Sequence, residues 1–304
     1  MRIFEDTNFS FISNRRIGYI ISGTLLTLSI AAFLFKGLAL GIDFRGGMEF
    51  VISNPQGIET TEIRRVLTEP LGGEPEVKTF GERSLLIRTS AQEADINTVQ
   101  DRILSSITAS FPEASPIVEK TDIVGPRFAE DLRSGAIFSV FGALGIIFLY
   151  ILVRFEWRYS IGAVAALLHD VTITLGLFAL LSGLVPFSLQ IDQSIIAAFL
   201  TIVGYSLNDT VVVFDRVREY VNLFKTENFP DIVNRSINNT LSRTFVTSGT
   251  TLIVVSILFV FGGEVLRGFS FALLVGVIIG TYSSVFVASP VVVELEKRLE
   301  KSAA

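Results

Sequence analysis

Apolar residues in this chain are gathered into long uncharged runs, separated by stretches rich in charge and glycine. Residues 17–35, 136–153, 245–263 and 268–293 form four uninterrupted runs, each long enough to cross a hydrocarbon layer about 30 Å thick. The last is long enough to tilt or to protrude at one end. Two further runs, 160–187 and 194–214, are as apolar overall but carry His169 with Asp170 and Asn208 with Asp209. The pattern predicts six transmembrane helices. The first run is long for the apolar core of a signal peptide and no small-residue cleavage pattern follows it, so it reads as an uncleaved span.

Between the first and second spans the pattern changes period. Residues 48–53 alternate as a strand, 60–71 have helical spacing with Ile63, Val66 and Leu67 on one side, and 76–80 pair with 83–89 across Gly81. A second helix over 95–111 aligns Ile96, Val99, Ile103, Leu104 and Ile107, and 116–124 reads as a last strand before Gly125 and Pro126. The order βαββαβ predicts an α+β ferredoxin-like domain inserted into the helical bundle, a fold that hosts many functions and identifies none. Residues 127–133 read as an interfacial turn leading into the second span. The expected division is therefore 1–36 (N-terminus and first span), 37–135 (external domain and interfacial segment), 136–293 (spans two to six) and 294–304 (tail).

Composition agrees with lipid as the main solvent: of 304 residues, 50% are hydrophobic and 18% charged. Lys and Arg set the orientation. Arg154 and Arg158 lie between spans two and three, and Arg216, Arg218, Lys225, Arg235 and Arg243 between four and five, whereas the alternate short connections are nearly bare. The positive-inside rule then places both termini in the cytoplasm. The long segment 37–135 lies outside and is acidic, with sixteen Asp and Glu against ten Lys and Arg. Cysteine is absent, which removes disulfides and thiolate metal sites, and no basic stripe suggests nucleic acid. No Walker A sequence, Ser/His/Asp arrangement or zinc motif is present, so neither an enzyme nor a cofactor is expected.

Ionisable groups inside a span are costly unless paired or wetted, which makes His169, Asp170 and Asp209 functional candidates. At 1.5 Å per residue, Asp170 lies about 15 Å from the cytoplasmic end of its span and Asp209 about 8 Å from the same side. Thr240, Thr244, Thr247, Ser248, Thr250 and Thr251 give span five a hydroxyl-rich start, and a helix beginning near Asn238 would carry Arg243 into the bundle, within reach of Asp209. A carboxylate facing an Arg across a hydrated cavity is minimal hardware for coupling ion passage to movement. The plainer readings are a hydrogen-bonded interior histidine for His169, a snorkelling anchor for Arg243, and interfacial anchors for Asp215, Arg216, Arg218 and Glu219. Gly276 and Gly280 form a G-x-x-x-G pair suited to close helix packing.

Five segments, Gly41-Ile-Asp-Phe-Arg-Gly-Gly47, Arg154-Phe-Glu-Trp-Arg158, Leu168-His-Asp170, Val203-Gly-Tyr-Ser-Leu-Asn-Asp-Thr-Val-Val-Val-Phe-Asp-Arg216 and Ser236-Ile-Asn-Asn-Thr-Leu-Ser-Arg-Thr244, in this order, resemble the SecD/SecF family of protein-export membrane proteins. That family is of the resistance-nodulation-division type, in which two six-span halves assemble about a pseudo-two-fold axis. The resemblance implies a bacterial cytoplasmic (inner) membrane protein, with SecD as the other half and the SecYEG channel, a translocating preprotein and membrane lipid as partners. It implies use of an ion gradient to assist export. The short tail after span six implies the separate rather than the fused form. Asp209 with Asn208, and Arg243, fall on motifs associated with ion coupling, and His169 and Asp170 match a further motif. Two competing expectations are half of a small-molecule or lipid exporter, which calls for a larger external region, and a passive channel scaffold, which has no need of intramembrane carboxylates.

Overall fold

The computed structural model describes residues 7–303 apart from residues 55, 82, 91–94 and 186. Among the described residues six helices are long and apolar enough to cross a membrane. They are α1 (Arg15–Phe35), α5 (Pro126–Arg154), α6 (Trp157–Leu181), α7 (Gln193–Leu223), α8 (Phe229–Phe261) and a last span, Val265–Lys301. That span starts within α9 (Gly263–Ser283), passes through a π-helical turn, Ser284–Ala288, and ends in α10 (Ser289–Ala303). The turn has a local cause. Pro290 cannot donate a backbone hydrogen bond and its ring crowds the preceding turn, so the chain widens, and the Ser289 hydroxyl donates to the Ser284 carbonyl at 2.8 Å.

Several helices outrun the apolar runs that predict them. α7 extends to Leu223, and α8 starts at Phe229, well before the apolar stretch at 245. Their extra turns pack together at one end of the bundle, where Val213, Phe214, Val217, Val233 and Ile237 close on Phe155, Tyr159 and Val292. Hydropathy marks only the part of a helix that lies in lipid. Residues 127–133 likewise form no separate turn but the first part of α5, which runs unbroken from Pro126.

Small residues set the closeness of the bundle. Gly276 and Gly280 of α9 lie on Ile202 and Ser206 of α7, Gly176 of α6 on Ser29 of α1, and Gly162 of α6 on Ala288 and Val292. A second apolar cluster, at the end of the bundle nearer the inserted domain, joins Phe178, Ile195, Phe199, Ala272 and Leu189.

After a short helix α2 (Ile42–Arg45), the segment between the first two spans folds as β1 (Gly47–Ser53), α3 (Thr60–Thr68), β2 (Glu76–Phe80), β3 (Ser84–Thr89), α4 (Ile96–Ser110) and β4 (Val118–Val124). The strands form one antiparallel sheet in the order β2-β3-β1-β4. One face buries Phe50, Ile52 and Ile87 against Ile63 and Leu67 of α3 and Val99 and Ile103 of α4. The other, carrying Glu49, Leu86 and Arg88, faces the α6–α7 connection across a polar cleft of about 280 Å³.

The domain is tied to the bundle through backbone and side chains. Leu40 bridges Ile191, with Gly41 N donating to Ile191 O at 2.8 Å and Ile191 N to Ala39 O at 2.7 Å. Gln193 N, at the start of α7, donates to the Asp43 carboxylate at 2.9 Å, and the Gln190 amide to Glu76 at 3.2 Å. Gly47 has φ +135 and would place a Cβ 2.6 Å from the Thr89 carbonyl oxygen, so β1 can enter the sheet here only with glycine.

Candidate functional site

The two buried aspartates of the bundle come from adjacent helices and meet the same turn of the last span. Asp209 of α7 is 8% exposed. Thr244 of α8 donates to its Oδ1, and Ser284 to its Oδ2 at 2.5 Å. Asp170 of α6 is 1% exposed. Its Oδ2 accepts from Ser206 of α7 at 2.6 Å and from Ser283 at 2.8 Å, and its Oδ1 lies 2.9 Å from His169 Nδ1. Removing a carboxylate from water is expensive unless its lone pairs are satisfied. Here hydroxyls from three spans and one imidazole satisfy them.

The network continues past the imidazole. His169 is 4% exposed; its Nε2 is 3.1 Å from Ser22 Oγ of α1, Ser22 Oγ is 3.0 Å from the Tyr282 hydroxyl, and that hydroxyl donates to the Gly18 carbonyl at 2.8 Å. The Tyr282 ring stacks on the imidazole with centroids 6.1 Å apart and on Phe286 at 5.1 Å. A second hydroxyl chain links α7, α8 and α9: Tyr205 donates to Ser248 at 3.3 Å, and Ser248 lies 2.7 Å from Thr281.

The predicted residues are therefore only partly brought together. His169 and Asp170 are in contact, and Asp209 shares their turn of the last span. Among the described residues no ion pair joins Arg243 to Asp209: Arg243 lies on the exposed face of α8, and the next residue, Thr244, takes the carboxylate. Successive helical residues point about 100° apart, so Arg243 and Thr244 project to different sides of α8, Thr244 into the packed interior and Arg243 to the exposed side. Asn208 is likewise on the exposed face of α7. Asp215 is 3.9 Å from Arg154, and Arg216 is 2.7 Å from Glu219, at exposed positions.

Sequence reasoning singled out Thr244 only as one of several hydroxyls and missed Ser22, Ser206, Tyr282, Ser283 and Ser284. The available signal was the run Thr281-Tyr-Ser-Ser284, polar in the middle of an otherwise apolar stretch. A π turn that begins at its last residue, Ser284, as often at functional sites, marks the same place in the structure.

Fold and site together define a polytopic membrane protein whose span bundle encloses hydrogen-bonded carboxylates and carries a small α+β domain between its first two spans. Residues 103–298 match the family model for the C-terminal part of the protein export membrane proteins SecD and SecF, and residues 31–53 match the SecD/SecF GG motif. The protein translocase subunit SecF of Rhodothermus marinus is 65% identical over 298 residues, covering 98% of this chain and 96% of that protein. SecF of Haemophilus influenzae is 39% identical, covering 95% and 87%. The crystal structure of SecDF from Thermus thermophilus, described as a translocon-associated membrane protein, superposes with a TM-score of 0.85 at 35% identity. The match covers 98% of this chain and 40% of the SecDF chain. SecDF in a super-membrane-facing form gives 0.72, covering 99% and 41%. The chain belongs to the SecD/SecF family, and within it is a subunit of the SecF type, of the protein translocase.

Proposed function

We propose that this chain forms half of a membrane-embedded assembly that draws on a transmembrane ion gradient to assist preprotein export through SecYEG, with SecD as the other half. The observation that carries the reading is the pair of buried carboxylates, Asp209 and Asp170, held by hydroxyls at one turn of the last span. A scaffold gains nothing from groups so costly to bury. Asp209, Asp170 and His169 are read as ion-coupling residues of the interior. Arg243 and Asn208 are read as ion-coupling residues of the outward face, where Thr247 and Thr250 are also exposed. Such a polar face suits a second helix bundle better than lipid.

The setting is read as the bacterial cytoplasmic membrane, with both termini cytoplasmic. The external unit 37–135 is read as ferredoxin-like, which its antiparallel strand order β2-β3-β1-β4 and its two helices on one face support. The test is preprotein release from right-side-out vesicles, with and without an imposed gradient, normalised to assembled complex. Asp209→Asn keeps the volume and a hydrogen-bonding group but removes the titratable proton, so assembly persists and gradient stimulation falls. Stimulation equal to that of the unaltered protein would sink the reading.

A further inference from the structure

The direction of each hydrogen bond around His169 follows from counting hydrogens. The Gly18 carbonyl can only accept, so the Tyr282 hydroxyl spends its single hydrogen there. The Ser22–Tyr282 contact at 3.0 Å must then use the hydrogen of Ser22. Ser22 has no hydrogen left for the imidazole, so across the 3.1 Å contact His169 Nε2 is the donor. A neutral imidazole carries one N–H, and Nε2 holds it. Nδ1 would then face Asp170 Oδ1 across 2.9 Å with a lone pair, and an ionised Asp170 would face it with another. Two lone pairs do not close to hydrogen-bond distance inside a bundle. One more proton must lie between them.

We infer that His169 and Asp170 form a proton-binding pair, occupied in the conformation described, and that the ion this site takes is a proton rather than a metal cation. This deepens, and rests on, the ion-coupled reading above. With the proton on Nδ1 the pair is imidazolium and carboxylate; with it on Oδ1 it is imidazole and carboxylic acid. Both forms are neutral overall and keep every bond of the network. Release breaks one N–H or O–H bond, gives the proton to water, and leaves one negative charge facing a lone pair. The pair must then move apart or the imidazole must turn. The other carboxylate oxygen, Oδ2, already accepts from Ser206 and Ser283, so with the proton at Oδ1 both oxygens of Asp170 are satisfied without a metal cation.

The surroundings neither supply nor mask this proton. From α9, Tyr282 is committed to Gly18, and α1 contributes the Ser22 hydroxyl. From α7, Ser206 makes the contact, and Asp209 lies one turn further along. Arg15–Glu294 and Arg158–Glu296 are pairs near the cytoplasmic ends of α1 and α6, about two turns or more away. The link to Asp209 is direct in the chain: consecutive residues, Ser283 and Ser284, hold the two carboxylates. Each hydroxyl is also within reach of its own helix, Ser283 at 3.1 Å from the Gly280 carbonyl and Ser284 at 3.0 Å from that of Thr281. A change of charge on either aspartate therefore changes what the turn beside the other is bonded to.

His169 is the only histidine of the chain, which makes the test clean. The full chain, labelled with ¹⁵N-histidine and reconstituted in liposomes with its unlabelled partner half, gives a single pair of ring-nitrogen signals. Nε2 is expected to be protonated at neutral pH, with a second, strongly hydrogen-bonded proton between Nδ1 and Asp170. In Asp170→Asn the strongly hydrogen-bonded proton signal at Nδ1 is lost. A neutral Nδ1–H tautomer with bare Nε2, or an Nδ1 signal that Asp170→Asn leaves unchanged, overturns the proposal. The coupling arm is gradient-dependent release. His169→Gln and Asp170→Asn should each cut it by about tenfold or more per assembled complex. Loss in Asp209→Asn with both of these unaffected would overturn the pair while sparing the wider ion-coupled reading.

Discussion

Gly276→Ala on α9 is the sharpest test of how the bundle is packed around its carboxylates. A methyl at this position would stand 2.3, 2.4 and 2.7 Å from Cγ1, Cδ1 and Cγ2 of Ile202. Ordinary carbon contacts are about 3.5–4.0 Å, so the shortfall is about 1 Å. Ile202 is 1% exposed and β-branched, with few rotamers to escape into, so α7 and α9 must separate. Overpacking of this kind costs about 1–3 kcal/mol, against a gain of about 0.5–1 kcal/mol from replacing a helical glycine by alanine. The net expectation is a loss of about 1–2 kcal/mol, or roughly 5–30-fold in the folding equilibrium. Gly23→Ala on α1, where nothing lies within 4 Å, is the control and should be neutral or slightly stabilising. Unfolding in mixed micelles by sodium dodecyl sulfate titration measures both. Adding Ile202→Ala to Gly276→Ala removes the clash, so the double-mutant cycle should show a favourable coupling of about 1 kcal/mol or more. Equal stability of Gly276→Ala and Gly23→Ala, with no coupling to Ile202, would refute the close α7–α9 contact.

Asp43→Ala should raise amide exchange at the first turn of α7, because Gln193 N loses its acceptor. The cost is about 0.5–2 kcal/mol, toward the low end since Asp192 still accepts from Ile195 N; unchanged exchange would remove Asp43 from that role. At Glu76, burial raises the carboxyl's affinity for its proton, but the hydrogen bond from Lys78 and the charges of Lys78, Arg88 and Arg45 outweigh it and hold the group below its ordinary 4.5. Its contribution is therefore present above pH 4.5 and fades as pH falls through the lower folded value. Exchange protection of β2 should drop with acid below that point, and Glu76→Gln should flatten the dependence. A reporter active only outside the cytoplasm should work at Gly73 and fail at Asn228; activity at Asn228 would reverse the orientation.

The spans were legible because lipid demands an unbroken apolar run, and the external strands because a period of two over 48–53 and 84–89 suits a pleated strand and not a helix. What hydropathy could not see was helix beyond the lipid. The start of α8 is polar enough to pass for a loop, yet Asn234 and Asn238 use their amides to hold the Phe9 carbonyl, and Asn238 accepts from Phe9 N at 2.9 Å. These contacts span more than two hundred residues of sequence, and local pattern carries no trace of them.

The site was half legible for a related reason. Residue type and depth identify Asp170 and Asp209 as groups that need partners, but the choice of partner depends on helix rotation. Charge complementarity points to Arg243 for Asp209. The structure instead turns Thr244 inward and leaves Arg243 on the face where Asn208 is also exposed. Inside the bundle neutral hydroxyls suffice, because a carboxylate needs its lone pairs met more than it needs a counter-charge. On the outer face a guanidinium is costly in lipid but well placed for an anionic or polar group on a second bundle. With no ion pair to Asp209 among the described residues, Arg243 is left on an outer face that a second bundle would cover at less cost than lipid.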